Sequence, residues 1–143
     1  MLFTACRVIE RSHCPYPMRV SDDARFYLFW LVCLPLRAAI AYGGFALVKV
    51  DDVFYILFSI YTALTSAGFL AFSLLWWCGS GRKKGGLGGD IWWNYMRPIH
   101  ALLWLGACVC FALREPSAFF FLVADVVVGA IAGALHHGFG LQI

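Results

Sequence analysis

The chain has 143 residues, 62% of them hydrophobic and 13% charged, with a formal net charge of +3. Ordinary soluble domains hold roughly 45–50% apolar and about 25% charged residues. So much apolar surface excludes a water-soluble globule of this size and makes the bilayer part of the solvent.

Residues 1–25 form a polar tail punctuated by Pro15 and Pro17. Its charges, Arg7, Glu10, Arg11, Arg19, Asp22, Asp23 and Arg25, leave no apolar core long enough for a cleavable signal, so the first span is expected to act as an uncleaved signal-anchor. Cys6, His13 and Cys14 supply three zinc-ligand types, but their spacing matches no established finger and lacks a fourth ligand. A free-thiol tail and no metal are expected. Ser21 is the expected N-cap of the first helix, with Asp22 and Asp23 favouring its positive end.

The first apolar run is Phe26 to Val48, with Arg37 midway, Pro35 predicting a kink just before it, and Gly43 and Gly44 beyond. The second is Val53 to Trp77. Residues 79–89 follow as a tether rich in glycine, without the spacing of a nucleotide cradle, so no cofactor is expected. Its Arg82, Lys83 and Lys84 are expected at anionic headgroups, each worth about 1 kcal/mol near a membrane surface.

The third run, Ile99 to Leu113, is short for a crossing, and two readings stand side by side. Either Pro98 occupies the first turn of a thin span, or the helix begins near Trp92 and Pro98 kinks it. A crossing over 94–113 is expected, because a re-entrant segment leaves an odd number of spans and parts the basic loop from the C-terminus. The fourth run is Ser117 to His136, before a short tail at 138–143.

Lysine and arginine concentrate in the N-terminal tail and in the loop at 82–84 with Arg97, against Lys49 and Arg114 at the other turns. The positive-inside rule then puts both termini and the glycine-rich loop in the cytoplasm and the turns at 49–52 and 114–116 outside. Trp76, Trp77, Trp92 and Trp93 fall at one interface, as amphipathic rings prefer. Cys33, Cys108 and Cys110 lie within spans and Cys78 at the end of one, so no disulfide framework is expected. The fold class is all-α, an integral membrane bundle of four transmembrane helices with both termini cytoplasmic.

Arg37 and Asp125 are the most telling residues. A charge in hydrocarbon costs roughly 2.5–3.5 kcal/mol on insertion scales, so each needs a partner or a wet cavity. At about 1.5 Å per residue, Arg37 lies about 17 Å from the inner end of its span and Asp125 about 12 Å from the outer end of its own, compatible heights for pairing. A second polar group gathers at the inner end: Arg97 and His100 share a helix face. His136 returns to that side about three turns from Asp125, followed by His137. In form this line resembles a proton relay. The same face of span four carries Gly129-Ala-Ile-Ala-Gly133, a close-packing pattern that explains it as structure instead. Adjacent histidines point about 100° apart and seldom chelate one metal, no acidic metal cluster is present, and no serine or cysteine has a histidine at a nucleophile's spacing. Catalysis is not expected.

Leu34-Pro-Leu-Arg-Ala-Ala-Ile-Ala41, Trp92-Trp-Asn-Tyr-Met-Arg-Pro-Ile-His-Ala101, and an Asp in span four followed by Gly129 and His136-His137 together resemble small multi-span membrane proteins encoded by large DNA viruses of algae and protists. The resemblance covers roughly residues 25 to 137. It implies a place in a viral or host-derived membrane, such as the lipid layer beneath an icosahedral capsid, and brings no catalytic residue with it.

The expected role is structural, a membrane scaffold whose partners are the bilayer, further copies of itself, or other membrane or capsid proteins, and not nucleic acid. Spans one, three and four are expected to pack through Arg37, Arg97, His100 and Asp125 around Gly129 and Gly133. The alternative is a small proton or cation channel or transporter using Asp125, His136 and His137.

Overall fold

The computed structural model describes residues 22–79, 81 and 93–139. The N-terminal tail with Ser21, the Arg82-Lys83-Lys84 cluster, Trp92 and residues 140–143 lie outside the described residues.

The first span is one rod in three parts: helix α1 (Asp22–Leu28), a π-helical turn (Phe29–Cys33) and helix α2 (Leu34–Leu47). Helix α3 is Val53–Trp77, a 3₁₀ turn over Asn94–Met96 leads into α4 (Arg97–Ala112), and α5 is Ala118–Phe139. Four stretches, Ala24–Leu47, Val53–Trp77, Asn94–Ala112 and Ala118–Gly138, are long and apolar enough to cross a membrane.

Pro35, at the start of α2, has no N–H, and its ring crowds the carbonyl one turn back. The chain answers by widening that turn: the Leu34 N–H donates to the Phe29 carbonyl, a five-residue step. The break expected at Pro35 is therefore a π turn before it. The two readings of the third span merge. Pro98 sits in the first turn of α4, where a missing N–H costs nothing, and the 3₁₀ turn prolongs the span to 19 residues.

Two helix ends use left-handed residues. α3 stops at Gly79 (φ 74°), the residue suited to that conformation, whereas α4 stops at Arg114 (φ 58°). There the Arg114 N–H donates to the Phe111 carbonyl at 3.1 Å and the Glu115 N–H to the Cys110 carbonyl at 2.8 Å, a Schellman closure. The Arg114 Nη1 donates to Asp52 Oδ2 at 2.7 Å, clipping the turn between α4 and α5 to the one between α2 and α3. At the opposite end, the Phe26 and His137 rings meet edge to face at 5.2 Å, joining the start of the first rod to the end of α5.

α3 packs most extensively on α4, α4 on α5, and α5 on α2, while α2 and α3 touch sparsely. The α3 surface toward α4 is a ladder of small hydroxyl residues at steps of three, four and seven: Ser59, Thr62, Ser66 and Ser73. Thr62 and Ser73 satisfy themselves on carbonyls of their own helix, Phe58 at 2.7 Å and Phe69 at 2.8 Å, and Ser66 donates across to the Ala101 carbonyl at 2.8 Å. Small hydroxylated side chains let two backbones approach and leave no donor orphaned. The expected packing of spans one, three and four left out the most extensive helix contact, that of α3 with α4.

Beside an apolar core the interior holds polar groups, while large apolar side chains line the outside. Thr62, Ser66, Ser73, His100 and Asp125 are buried, and Leu31, Leu36, Leu64, Leu102 and Phe120 are exposed. In water such an outer face is a large apolar patch; in hydrocarbon it costs nothing.

The glycine pair of α5 packs inside the chain, and its members differ. A methyl on Gly133 runs into the Phe29 ring, whereas one on Gly129 meets Leu34, Arg37 and His100 at 3.5–3.8 Å, ordinary contact. Gly133→Ala is expected to lower stability by about 1–3 kcal/mol, the usual cost of overpacking. Gly129→Ala is expected to be neutral or slightly stabilising, because alanine favours helix. Unfolding of the two detergent-solubilised variants checks the difference.

Candidate functional site

Three spans deliver one side chain each to the middle of the bundle. Arg37 comes from the first turn of α2, His100 from the first turn of α4, and Asp125 from the third turn of α5. The Asp125 carboxylate is 1% exposed; Arg37 Nη1 donates to its Oδ2 at 3.0 Å and His100 Nδ1 meets its Oδ1 at 2.5 Å. Arginine is always charged and is matched here by an ionised carboxylate, so His100 serves as the Nδ1–H donor. Arg37 Nη1 and His100 Nδ1 stand 3.3 Å apart, two donors converging on one acceptor rather than a bond between them.

The π turn sets the direction of Arg37. On an unbroken α-helix, Phe29 and Arg37 stand roughly 80° apart. The extra residue in a π turn takes back about that angle. Phe29 then packs at Gly133 while Arg37 reaches Asp125 beside Gly129, so both face α5.

α3 contributes no charge, yet it covers the cluster. The Phe69 ring lies 5.6 Å from the His100 ring, tilted by 30°, and 5.6 Å under the Arg37 guanidinium. Toward the clipped end the next layer is apolar: Ala41, Trp104 and Leu122, then Ala107, Phe111 and Ala118. Each helix that brings an ion brings a close-packing residue on the same face one turn further.

The residues singled out in the sequence separate into groups. Arg37, His100 and Asp125 are brought together. Arg97, which shares a face with His100, turns instead to the Phe72 ring at 5.4 Å. His136 and His137 lie ring to ring at 4.9 Å in the last turn of α5, with His137 against Phe26 and Phe29, so the continuous line expected from Asp125 to the histidines is absent among the described residues. The helix between them carries Gly133, which lies against Phe29, and Gly129, which lies beside Leu34, Arg37 and His100. Phe69, Ser66 and the hydroxyl ladder were not anticipated; the recurrence of Ser and Thr at helical spacing in an apolar run was the available signal. Among the described residues, no three His, Cys, Asp or Glu side chains converge on one point.

Compared with known proteins, the chain matches no family model, no curated relative and no solved structure.

The arrangement can hold three spans in one register. Asp125→Ala leaves Arg37 without its counter-ion and His100 without its acceptor, and is expected to cost about 3–5 kcal/mol, as when one partner of a buried ion pair is removed. A double-mutant cycle between Arg37→Ala and Asp125→Ala is expected to show coupling of about 1.5–3 kcal/mol. The same cycle with Arg97→Ala should be additive within about 0.5 kcal/mol. Exchanging the two charges, Arg37→Asp with Asp125→Arg, is expected not to restore stability, because the His100 donor then faces a guanidinium. Denaturant unfolding in micelles reads all of these.

Proposed function

We propose that this chain is a multi-pass integral membrane protein with a scaffolding role, both termini on the cytoplasmic side, in which the intramembrane charges serve assembly of the helices rather than chemistry. The observation that carries this reading is the closed Arg37–Asp125–His100 cluster: the buried carboxylate spends both oxygens on donors from two other helices. The apolar outer face leaves the bilayer as the first partner and further copies or other membrane proteins as the next. A viral or host-derived membrane, as the family resemblance implies, belongs to the same proposal.

One observation favours the second reading, a small proton or cation pathway. The imidazole of His100, whose two ring nitrogens can each hold a proton, touches Asp125 directly. Proteoliposomes loaded with a pH-sensitive dye separate the two. The scaffold reading expects acidification no faster than in empty liposomes, together with crosslinked species larger than the monomer in native membranes. Flux that Asp125→Asn abolishes overturns it in favour of transport.

A further inference from the structure

Arg97 opens α4 within the third candidate span and is half-buried. Among the described residues no carboxylate meets its guanidinium, which lies instead over the Phe72 ring. Asp125 is engaged by Arg37 and His100 instead. Among the described residues, Arg97 is thus a half-buried guanidinium that faces an aromatic ring and no carboxylate. A guanidinium at the end of an apolar span is stabilised by an anionic group within its reach.

The surroundings of Arg97 define what that counter-charge is. Phe69 and Phe72 are three residues apart on α3, so their rings carry Arg37 and Arg97 as successive rungs, at 5.6 and 5.4 Å. Phe72 is 57% exposed, so the Arg97 rung opens sideways to the outer face of the bundle. The Trp76 and Tyr95 rings meet edge to face at 4.8 Å, Tyr95 two residues before Arg97 and Trp76 four after Phe72. Such amphipathic rings mark headgroup depth in a bilayer. A planar guanidinium at that depth, backed by an aromatic face, matches the oxygens of a phosphate by two parallel donations.

We infer that Arg97 and Phe72 form a binding site for a phosphate group at the inner end of the bundle. The group is either the headgroup of an anionic phospholipid or a soluble phosphate. The inference rests on the membrane reading above for the lipid source only; binding in micelles is measured independently of flux and of crosslinking.

The full chain in a neutral detergent is heated in the presence of inorganic phosphate, dihexanoyl phosphatidic acid or dihexanoyl phosphatidylcholine. A saturable rise in Tm of roughly 4–6 °C at tenfold excess over Kd is expected. A rise with phosphatidic acid and none with inorganic phosphate identifies a lipid headgroup, and a rise with inorganic phosphate as well identifies a site for free phosphate. Arg97→Gln is expected to weaken binding at least tenfold, Phe72→Leu several-fold and Arg97→Lys less than Gln. Arg114→Gln at the far end of the bundle should leave it unchanged. The site is overturned if no phosphate compound produces a saturable shift, if phosphatidylcholine matches phosphatidic acid, or if the shift survives Arg97→Gln. Should Arg97→Gln fail to fold, an unaltered shift in Phe72→Leu and Arg97→Lys overturns it equally.

Discussion

The bundle depends on the Asp125 carboxylate, which accepts from Arg37 and from His100 and is shut away from its surroundings. A buried ion pair adds little net stability over a hydrophobic replacement, but it punishes every arrangement that separates its members. Here that penalty fixes register. Rotating α2 or α4 by one residue turns its donor about 100° away from the carboxylate. Apolar helix faces in lipid slide past one another at small cost, since lipid tails are as apolar as leucine. The ion cluster supplies the directional preference that the greasy surfaces lack.

The remaining features can be seen as ways of letting that cluster form. The π turn rotates Arg37 onto the face already used by Phe29, so one rod meets α5 with both a ring at Gly133 and a charge at Asp125. The hydroxyl ladder holds α3 close to α4, and the same closeness lays Phe69 over His100 and Arg37. An aromatic face over a guanidinium replaces part of its lost hydration. At the far end, Arg114 adopts a conformation better suited to glycine while its side chain reaches Asp52, so the turn between α4 and α5 is tied to the one between α2 and α3.

The pairing of Arg37 with Asp125 was legible because each charge interrupts an apolar run and both lie at similar computed heights. His100 was visible too, expected with Arg37, Arg97 and Asp125 where spans one, three and four pack, but its direct bond to the carboxylate was not, because its spacing tied it first to Arg97. The histidines at the end of α5 satisfied the periodicity that links them to Asp125, yet periodicity gives direction around an axis and not distance along it. Gly129 and Gly133 formed one motif in the sequence; the helix opposite made one of them indispensable for space and left the other with room to spare.

From its sequence alone the chain determined that it is built of four apolar helices, where they break, and which charges within them demand company. Those properties are local, set by the cost of placing each residue in a helix and in hydrocarbon. Only the tertiary structure decided which helix lies against which, that His100 rather than the terminal histidines completes the carboxylate's shell, and that Arg97 faces the Phe72 ring. Choice of partner is a property of two surfaces at once, and a single run of residues specifies one of them.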